Sequence, residues 1–432
     1  MMSSSITTPV PQWLTNLRLP EWLLPTDWPL LNGLPQLAHV EVSAGAVAKL
    51  TPILPSDVIE SINIDGALCL PSLVEAHAHL DKTFTRHRIG DVTPGLLGAI
   101  EAMQQDKSKW SHDDLWQRVE QALQQAYANG VAYLRTHVDW DNEQAPAAWH
   151  VLQALAKSWQ HKIHLEQVAL VPLTLLADSN NTDTILQQVS ATGNGIMGCF
   201  IHSVNFDADA FEYLIKQAAK LHIDLDLHID EELADQPQGL ICLLDCLETV
   251  SFRGRIVCGH VCALSSCETS LATSLLDRIQ QQPITLISLP TTNLLLQDAE
   301  VDRTPKLLGL TLLKEAKSRD IPTMIATDNV QDAFCSFGEY DPIEALRLAT
   351  YGAQLSHVFD RWSQSICNAN YLSSELNAFN LIGKSADFVV FDNKDVWSWP
   401  SGEERLLIRG GYVIKPNKQA VVPLFNDHKD IS

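Results

Sequence analysis

The chain has 432 residues, 46% of them hydrophobic and 19% charged, which is enough apolar material for one large globular domain and a smaller companion. Asp and Glu outnumber Lys and Arg 52 to 30, a formal charge of -22, and so acidic a chain is poorly built to neutralise phosphates, so no nucleic-acid partner is expected. No run approaches the roughly 18 consecutive apolar residues needed to cross a bilayer, so no membrane partner is expected either.

The first residues, "MMSSSITTPVPQWLTNLRLPEW", lack a basic stretch leading into an apolar core. They do not read as a secretory signal, and a cytoplasmic location is expected. Nine cysteines, an odd number with no C-x-x-C pair, fit reduced thiols in that compartment. "HVEVSAGAVAKL" and "VIESINIDGALCL" follow as short strand patterns, and residues 1–68 are expected to form the N-terminal part of a small β domain.

Residues 69–379 alternate between two periodicities. Apolar, β-branched runs recur eight times: "SLVEAHAHL", "VAYLRTHVD", "IHLEQVALVP", "GIMGCFIH", "IDLDLHID", "RIVCGHV", "ITLISLP" and "IPTMIATD". Helical patterns separate several of them. In "SHDDLWQRVEQALQQAYANG" the residues Leu115, Val119, Leu123 and Ala126 recur at helical spacing; Ser111, Asp113 or Asp114 can cap the start and Gly130 can end it. Eight strand-then-helix units predict an α/β protein with a (β/α)8 TIM-like barrel. Residues 380–432 return to short β patterns, "ADFVVFDNKDVW" and "RLLIRGGYVIKP". Both chain ends together therefore predict one small β-sandwich domain.

In such a barrel the chemistry sits where the strands end at their C-terminal face. Strand one runs into "LVEAHAHLDKTF", where His77 and His79, two apart, point the same way. Strand two ends near His137 and Asp139, strand five at His228, Asp230 and Glu231, strand six at His260, and strand eight at Asp328. Taken singly, each has a plainer reading. A lone strand-end histidine is usually a hydrogen-bonded core residue, His137 can simply orient a neighbour, and Asp328 before Asn329 can start a turn. Taken jointly, imidazoles and a carboxylate at converging strand ends suit one divalent metal ion, zinc or iron. His77, His79, His228 and Asp328 are the predicted ligands.

The segments "VEAHAHLDKTF", "VAYLRTHVD", "DLHIDEE", "CGHVCAL", "PTTNLLLQDAE" and "ATDNVQDAFCSFGEYDPIEAL", with the late "GKSADFVVFD" and "LLIRGGYVI", resemble the amidohydrolase superfamily and, within it, the cytosine deaminase-like branch. The resemblance runs from residue 60 to residue 415. It implies the same four ligands, Glu231 as the proton-shuttling acid, Asp328 as proton acceptor, and His260 as the histidine that meets the attacking water and the substrate. Strand four carries no lysine, which implies a single metal.

The pocket departs from a standard cytosine deaminase. Leu173 stands where the resemblance calls for a base-reading glutamine, Asn329 for a second aspartate, and Phe334 for a tryptophan. The implied activity is hydrolytic release of ammonia from a small nitrogen heterocycle. The alternatives are another amino- or alkylamino-substituted pyrimidine, pterin or triazine, as in N-isopropylammelide amidohydrolase; opening of a cyclic amide; or a barrel that binds without turnover. Barrels of this kind often assemble, so a homo-oligomer is compatible with the reading.

Overall fold

The computed structural model describes residues 7–373, 379–392, 394–400 and 405–414. Each of the eight apolar runs forms a strand: β1 Leu73–Ala78, β2 Val131–Asp139, β3 His164–Pro172, β4 Ile196–Ile201, β5 Leu225–Ile229, β6 Ile256–His260, β7 Ile284–Ser288 and β8 Thr323–Ile325. Each pairs in parallel with its neighbours in chain order. β1, β5, β6, β7 and β8 are buried along their whole length, as parallel strands covered on both faces must be. The two ends of the sheet meet at a parallel bridge between Ala78 and Asp328. There the Asp328 N–H donates to the His77 carbonyl at 3.0 Å. Closing the barrel therefore brings the aspartate that follows β8 against the histidines of β1.

Helices fill the connections for local reasons. Ala147–Trp159 buries Ala148, Val151, Leu152 and Leu155, one helical face. Asp207 caps Ala208–Leu221 by accepting from the Ala210 N–H, and left-handed His222 ends it. The predicted helix forms at His112–Ala128, and Ser111 Oγ accepts from the Asp114 N–H at 3.2 Å. Among the described residues no helix is long and apolar enough to cross a membrane.

Contacts divide the chain into two units. The larger comprises Leu73–Glu120 and Val131–Phe379 and contains the barrel. The smaller comprises Met1–Ser72, Gln121–Gly130 and Asn380–Ser432. Its five-stranded antiparallel sheet runs Thr7–Pro9, Tyr412–Ile414, Arg405–Arg409, Phe388–Phe391, Cys69–Pro71, so both chain ends share one sheet. A four-stranded sheet runs Ala46–Thr51, Ala38–Ser43, Trp13–Leu17, Ser61–Asn63. Of the expected β segments, residues 1–6 and 415–432 lie outside the described residues. Gln121–Gly130, placed in the barrel by sequence, groups with the small unit. Gly130 there has φ +96°, its carbonyl accepts from Arg409 Nη2 at 2.7 Å, and the Asn129 carbonyl accepts from Arg405 Nη1 at 2.7 Å.

The barrel interior is not wholly apolar. Arg135 on β2 is 2% exposed and pairs with Asp226 Oδ2 of β5 at 2.9 Å and Glu166 Oε2 of β3 at 2.8 Å, while Nη2 also donates to the Leu372 carbonyl at 3.1 Å. Asp226 precedes His228 by two and so shares its inward face. Burial pushes Asp226 up to about 7 although Arg135 works against that rise. Removing the guanidinium strands buried acids, so Arg135→Met should cost about 3–5 kcal/mol of unfolding free energy in a urea titration at pH 8. A loss below about 1 kcal/mol would contradict this account of the interior.

Candidate metal centre and cleft

The period of a strand sets the first two donors: His77 and His79 leave β1 and its C-terminal end on one face. His77 Nε2 lies 3.1 Å from His228 Nε2, and His228 Nε2 lies 3.1 Å from His79 Nε2. Asp328 Oδ1 lies 3.2 Å from His79 Nε2 and 3.6 Å from His77 Nε2. Ligands about 2.0–2.2 Å from a tetrahedral ion stand about 3.3–3.6 Å from one another. The observed spacings bracket those edges. All four side chains are at most 4% exposed.

Burial, and the other imidazoles beside them, hold His77 and His228 well below the usual imidazole range, so these rings are neutral and offer lone pairs. Burial also pushes Asp328 upward, but the neighbouring imidazoles and the Thr292 hydroxyl outweigh it and hold the carboxylate ionised. Asp328 Oδ2 accepts a hydrogen bond from Thr292 Oγ1, leaving Oδ1 toward the imidazoles. Three imidazole nitrogens and one carboxylate oxygen fit a divalent ion.

The strand ends are bent to make this arrangement. Asp230, His260, Val261 and Asp328 all have left-handed φ values, between +48° and +66°. Non-glycine residues occupy that region at a cost and cluster where function demands it. Gly259 on β6 supplies the remaining room: a Cβ there would stand 3.2 Å from Cε1 and 3.3 Å from Nδ1 of His77.

Two proton-handling groups flank the cluster. Burial, and then the charge of Asp328, raise Glu231 well above the usual carboxyl range, so it holds a proton. His260 Nδ1 lies 3.0 Å from Asn293 Oδ1 and 3.3 Å from Glu231 Oε1. The Asn293 amide is oriented by Nδ2 donating to the Gly309 carbonyl at 3.0 Å, so its oxygen faces His260. His260 therefore carries its proton on Nδ1, and burial keeps it neutral. Its Nε2, 4.0 Å from Asp328 Oδ2, presents a lone pair to the centre. The resemblance has His260 meeting the attacking water and the substrate; in this tautomer it can favour a negative oxygen only after taking a proton.

Beside the centre lies a cleft of about 690 Å³, counting the space open at its mouth. Leu96, Ile100, Met103, Gln104 and Lys107 line it from the helix Leu96–Lys107, one stripe at helical spacing. Leu170, Pro172, Phe200 and Phe334 line it from elsewhere. These apolar residues give a ring system surface to pack against, and Lys82, Asp139 and Asp141 also line the cleft.

The sequence-predicted residues fall as follows. His77, His79, His228 and Asp328 come together, and Glu231 and His260 stand beside them. Asn329 lines the cleft, but its amide nitrogen donates to Asp332 Oδ2 at 2.6 Å. Phe334 lines the cleft beneath the Lys82 ammonium, 5.2 Å from the ring centre. Leu173 does not reach it. It begins the short helix Leu173–Leu176, fully buried, and β3 presents Leu170 and Pro172 instead.

Three more residues stand at the site: His137 and Asp139, which the sequence placed at a strand end without a ligand role, and Lys82, which it did not single out. His137 is buried with its ring centre 3.9 Å from that of His77 and its Nε2 3.6 Å from Asp226 Oδ1, so it backs the cluster. Lys82, 4% exposed, lines the cleft 3.2 Å from His79 Nδ1 and 2.9 Å from Asp139 Oδ1. Burial opposes its charge, but Asp139 and Asp81 outweigh burial and keep it an ammonium. Asp139 is held ionised by Lys82 and Lys107 against the same penalty. For Lys82 the signal was available: "HLDKTF" puts it just past the end of β1, as "HVDWD" puts Asp139 at the end of β2.

A parallel barrel with three imidazoles and a carboxylate converging at its strand ends, beside a buried acid and a flat cleft, defines a metal-dependent barrel hydrolase. The chain is 30% identical over 386 residues to a pterin deaminase of Rhizobium rhizogenes, covering 87% of each protein. It is 21% identical to N-isopropylammelide isopropyl amidohydrolase of a Pseudomonas species, covering 85% of this chain and 91% of that protein. Its fold matches that of 5-methylcytosine deaminase from Klebsiella pneumoniae liganded with 5-fluorocytosine, with TM-score 0.76 and 21% identity over 93% of this chain and 96% of the other. No family model matches the chain. The chain belongs to the amidohydrolase superfamily.

Because His77 leans on a bare backbone, Gly259→Ala should push the ring off its ligand position. Zinc affinity, measured by competition with a chelating dye, should fall roughly 10-fold or more. Unchanged affinity would show that His77 is not held by this contact.

Proposed function

We propose that the protein releases ammonia from an amino-substituted nitrogen heterocycle, using one divalent ion, zinc or iron, held by His77, His79, His228 and Asp328. The observation that carries this reading is the juxtaposition of that donor set with a buried Glu231 on the wall of the cleft. A hydrolase that only binds its ligand has no use for a buried acid at that place. An ion held there supplies Lewis acidity, bringing the pKa of a water in its coordination sphere toward neutrality.

The chain's own groups then divide the work. Asp328, or the lone pair of His260 Nε2, takes the proton that the water gives up as its oxygen adds to the ring carbon bearing the amine. Glu231 delivers its proton to the adjacent ring nitrogen, so negative charge does not build on the ring. Once protonated, His260 donates to the developing oxygen, which electrostatically favours the tetrahedral state. The accepted proton passes to the amine, and as the carbon–nitrogen bond breaks and ammonia leaves, the new hydroxyl gives its remaining proton to Glu231, which forms the oxo group and restores the acid. The sum is one water consumed, one amine replaced by an oxo group, and no change in oxidation state.

The similarity to a pterin deaminase favours a bicyclic amino-pterin over cytosine as substrate. The cleft supports this: β3 lines it with Leu170 and Pro172, and no glutamine stands there as in a standard cytosine deaminase. Removal of an alkylamine from a triazine is the second reading, favoured by the N-isopropylammelide hydrolase relative.

An ammonia-release screen over pterin, cytosine and an N-alkylaminotriazine tests the ranking, with pterin expected to be turned over best. Chelation should abolish turnover, and zinc or iron should restore it. Glu231→Gln should keep the metal and lose about 10²–10⁴ in kcat. Full activity in that variant would remove Glu231 from the mechanism.

A further inference from the structure

One wall of the cleft is built from opposite charges that the mechanism does not use. Lys82 Nζ stands 2.9 Å from Asp139 Oδ1, and Lys107 Nζ stands 3.2 Å from Asp139 Oδ2 and 2.7 Å from Asp141 Oδ1. All four side chains line the cleft. Two ammonium groups and two carboxylates cancel, so this wall does not attract an anion, and Asp139 and Asp141 would repel one. It presents instead a donor and an acceptor side by side.

Lys82 is a donor only, and its remaining N–H groups need acceptors. The nearest nitrogen, His79 Nδ1 at 3.2 Å, cannot be one when His79 Nε2 is a metal ligand, because the neutral ring then carries its proton on Nδ1. A Lys82 N–H is thereby left for a molecule in the cleft. Asp139 keeps acceptor capacity beside it, with its side chain 20% exposed. Elsewhere Leu96, Ile100, Met103, Leu170, Phe200 and Phe334 offer a ring only apolar contact.

A donor and an acceptor 2.9 Å apart suit two parallel hydrogen bonds to adjacent atoms of one ring. The group that answers such a pair with an acceptor and a donor is a cyclic amide, whose C=O faces the ammonium and whose N–H faces the carboxylate. We propose that Lys82 and Asp139 are the specificity-determining pair of this enzyme and read the lactam edge of an amino-oxo heterocycle. The substrate class is then neutral heterocycles carrying both an amine and a cyclic amide. The inference rests on the deaminase reading for the reacting carbon, and on the cleft alone for the lactam edge.

The two are tested separately. Lumazine, a pteridine with two lactam edges and no amine to lose, is the binding probe for metal-loaded and metal-free protein, read by calorimetry. Isocytosine and 2-aminopyrimidine, which differ by the oxo group, are the substrate pair. Wild type should turn over isocytosine at least 10²-fold better in kcat/KM, since a site built to hydrogen-bond a group rejects the analogue that lacks it. Lys82→Met should weaken lumazine binding about 10–100-fold, with metal content unchanged and the preference for isocytosine largely lost through KM. If Lys82→Met loses metal, Asp139→Asn tests the same edge from its other partner, with a loss of about 10-fold expected.

Lumazine binding unchanged in Asp139→Asn and in a metal-replete Lys82→Met overturns the proposal. So does equal turnover of the two pyrimidines by wild type. Lys82-dependent lumazine binding in a protein that releases no ammonia from any amino-lactam sustains the pair and overturns the deaminase reading instead.

Discussion

Three imidazole nitrogens and a carboxylate oxygen crowd one buried space, four of their mutual separations falling between 3.1 and 3.6 Å, and such crowding is costly until a cation stands among them. Burial denies His77 and His228 the protons that would relieve their crowding. The cluster suits a ligand set, and the barrel around it holds these side chains in place. β1 supplies two donors through its two-residue period, and β5 the third. The parallel bridge between Ala78 and Asp328, which closes the sheet, sets the fourth beside them. Fold closure and site assembly are one event.

Beneath the cluster the barrel holds charge where barrels of this kind usually hold branched apolar side chains. Arg135, Asp226, Glu166 and the buried Glu75 all face inward, and Glu75 accepts from Thr327 Oγ1 at 2.7 Å, one residue before Asp328. Such groups rarely add net stability. What they add is fixed orientation: Asp226 approaches His137, His137 backs His77, and Thr327 is tied to the strand that carries both β1 histidines. The interior gives up apolar packing in exchange for side chains with one orientation each.

Much of this was legible in the sequence because its cause is periodic. Eight apolar runs in the right order, and histidines two apart at the end of the first, needed only strand geometry to be read. The two chain ends sharing a sheet followed from short β patterns at either end. The cleft was harder to read, because its walls come from segments related only through the folded barrel. Leu96, Ile100 and Lys107 are spaced as any half-buried helix would be. Nothing local says that their stripe faces a metal rather than the core. Leu173 was misplaced for a related reason: after a proline at a strand end the chain turns at once into a helix, and the residue expected in the cleft rotates away from it. Lys82 and Asp139 lie far apart in sequence, and only the closed barrel makes them a pair.

X-ray absorption at the zinc edge of the purified, zinc-loaded protein reads the ligand set itself. A single shell of three imidazole nitrogens and an aspartate oxygen at about 2.0–2.2 Å, with one open or water-filled position, is the result predicted. Sulfur in the shell, or fewer than three imidazoles, would place the metal elsewhere and contradict the account.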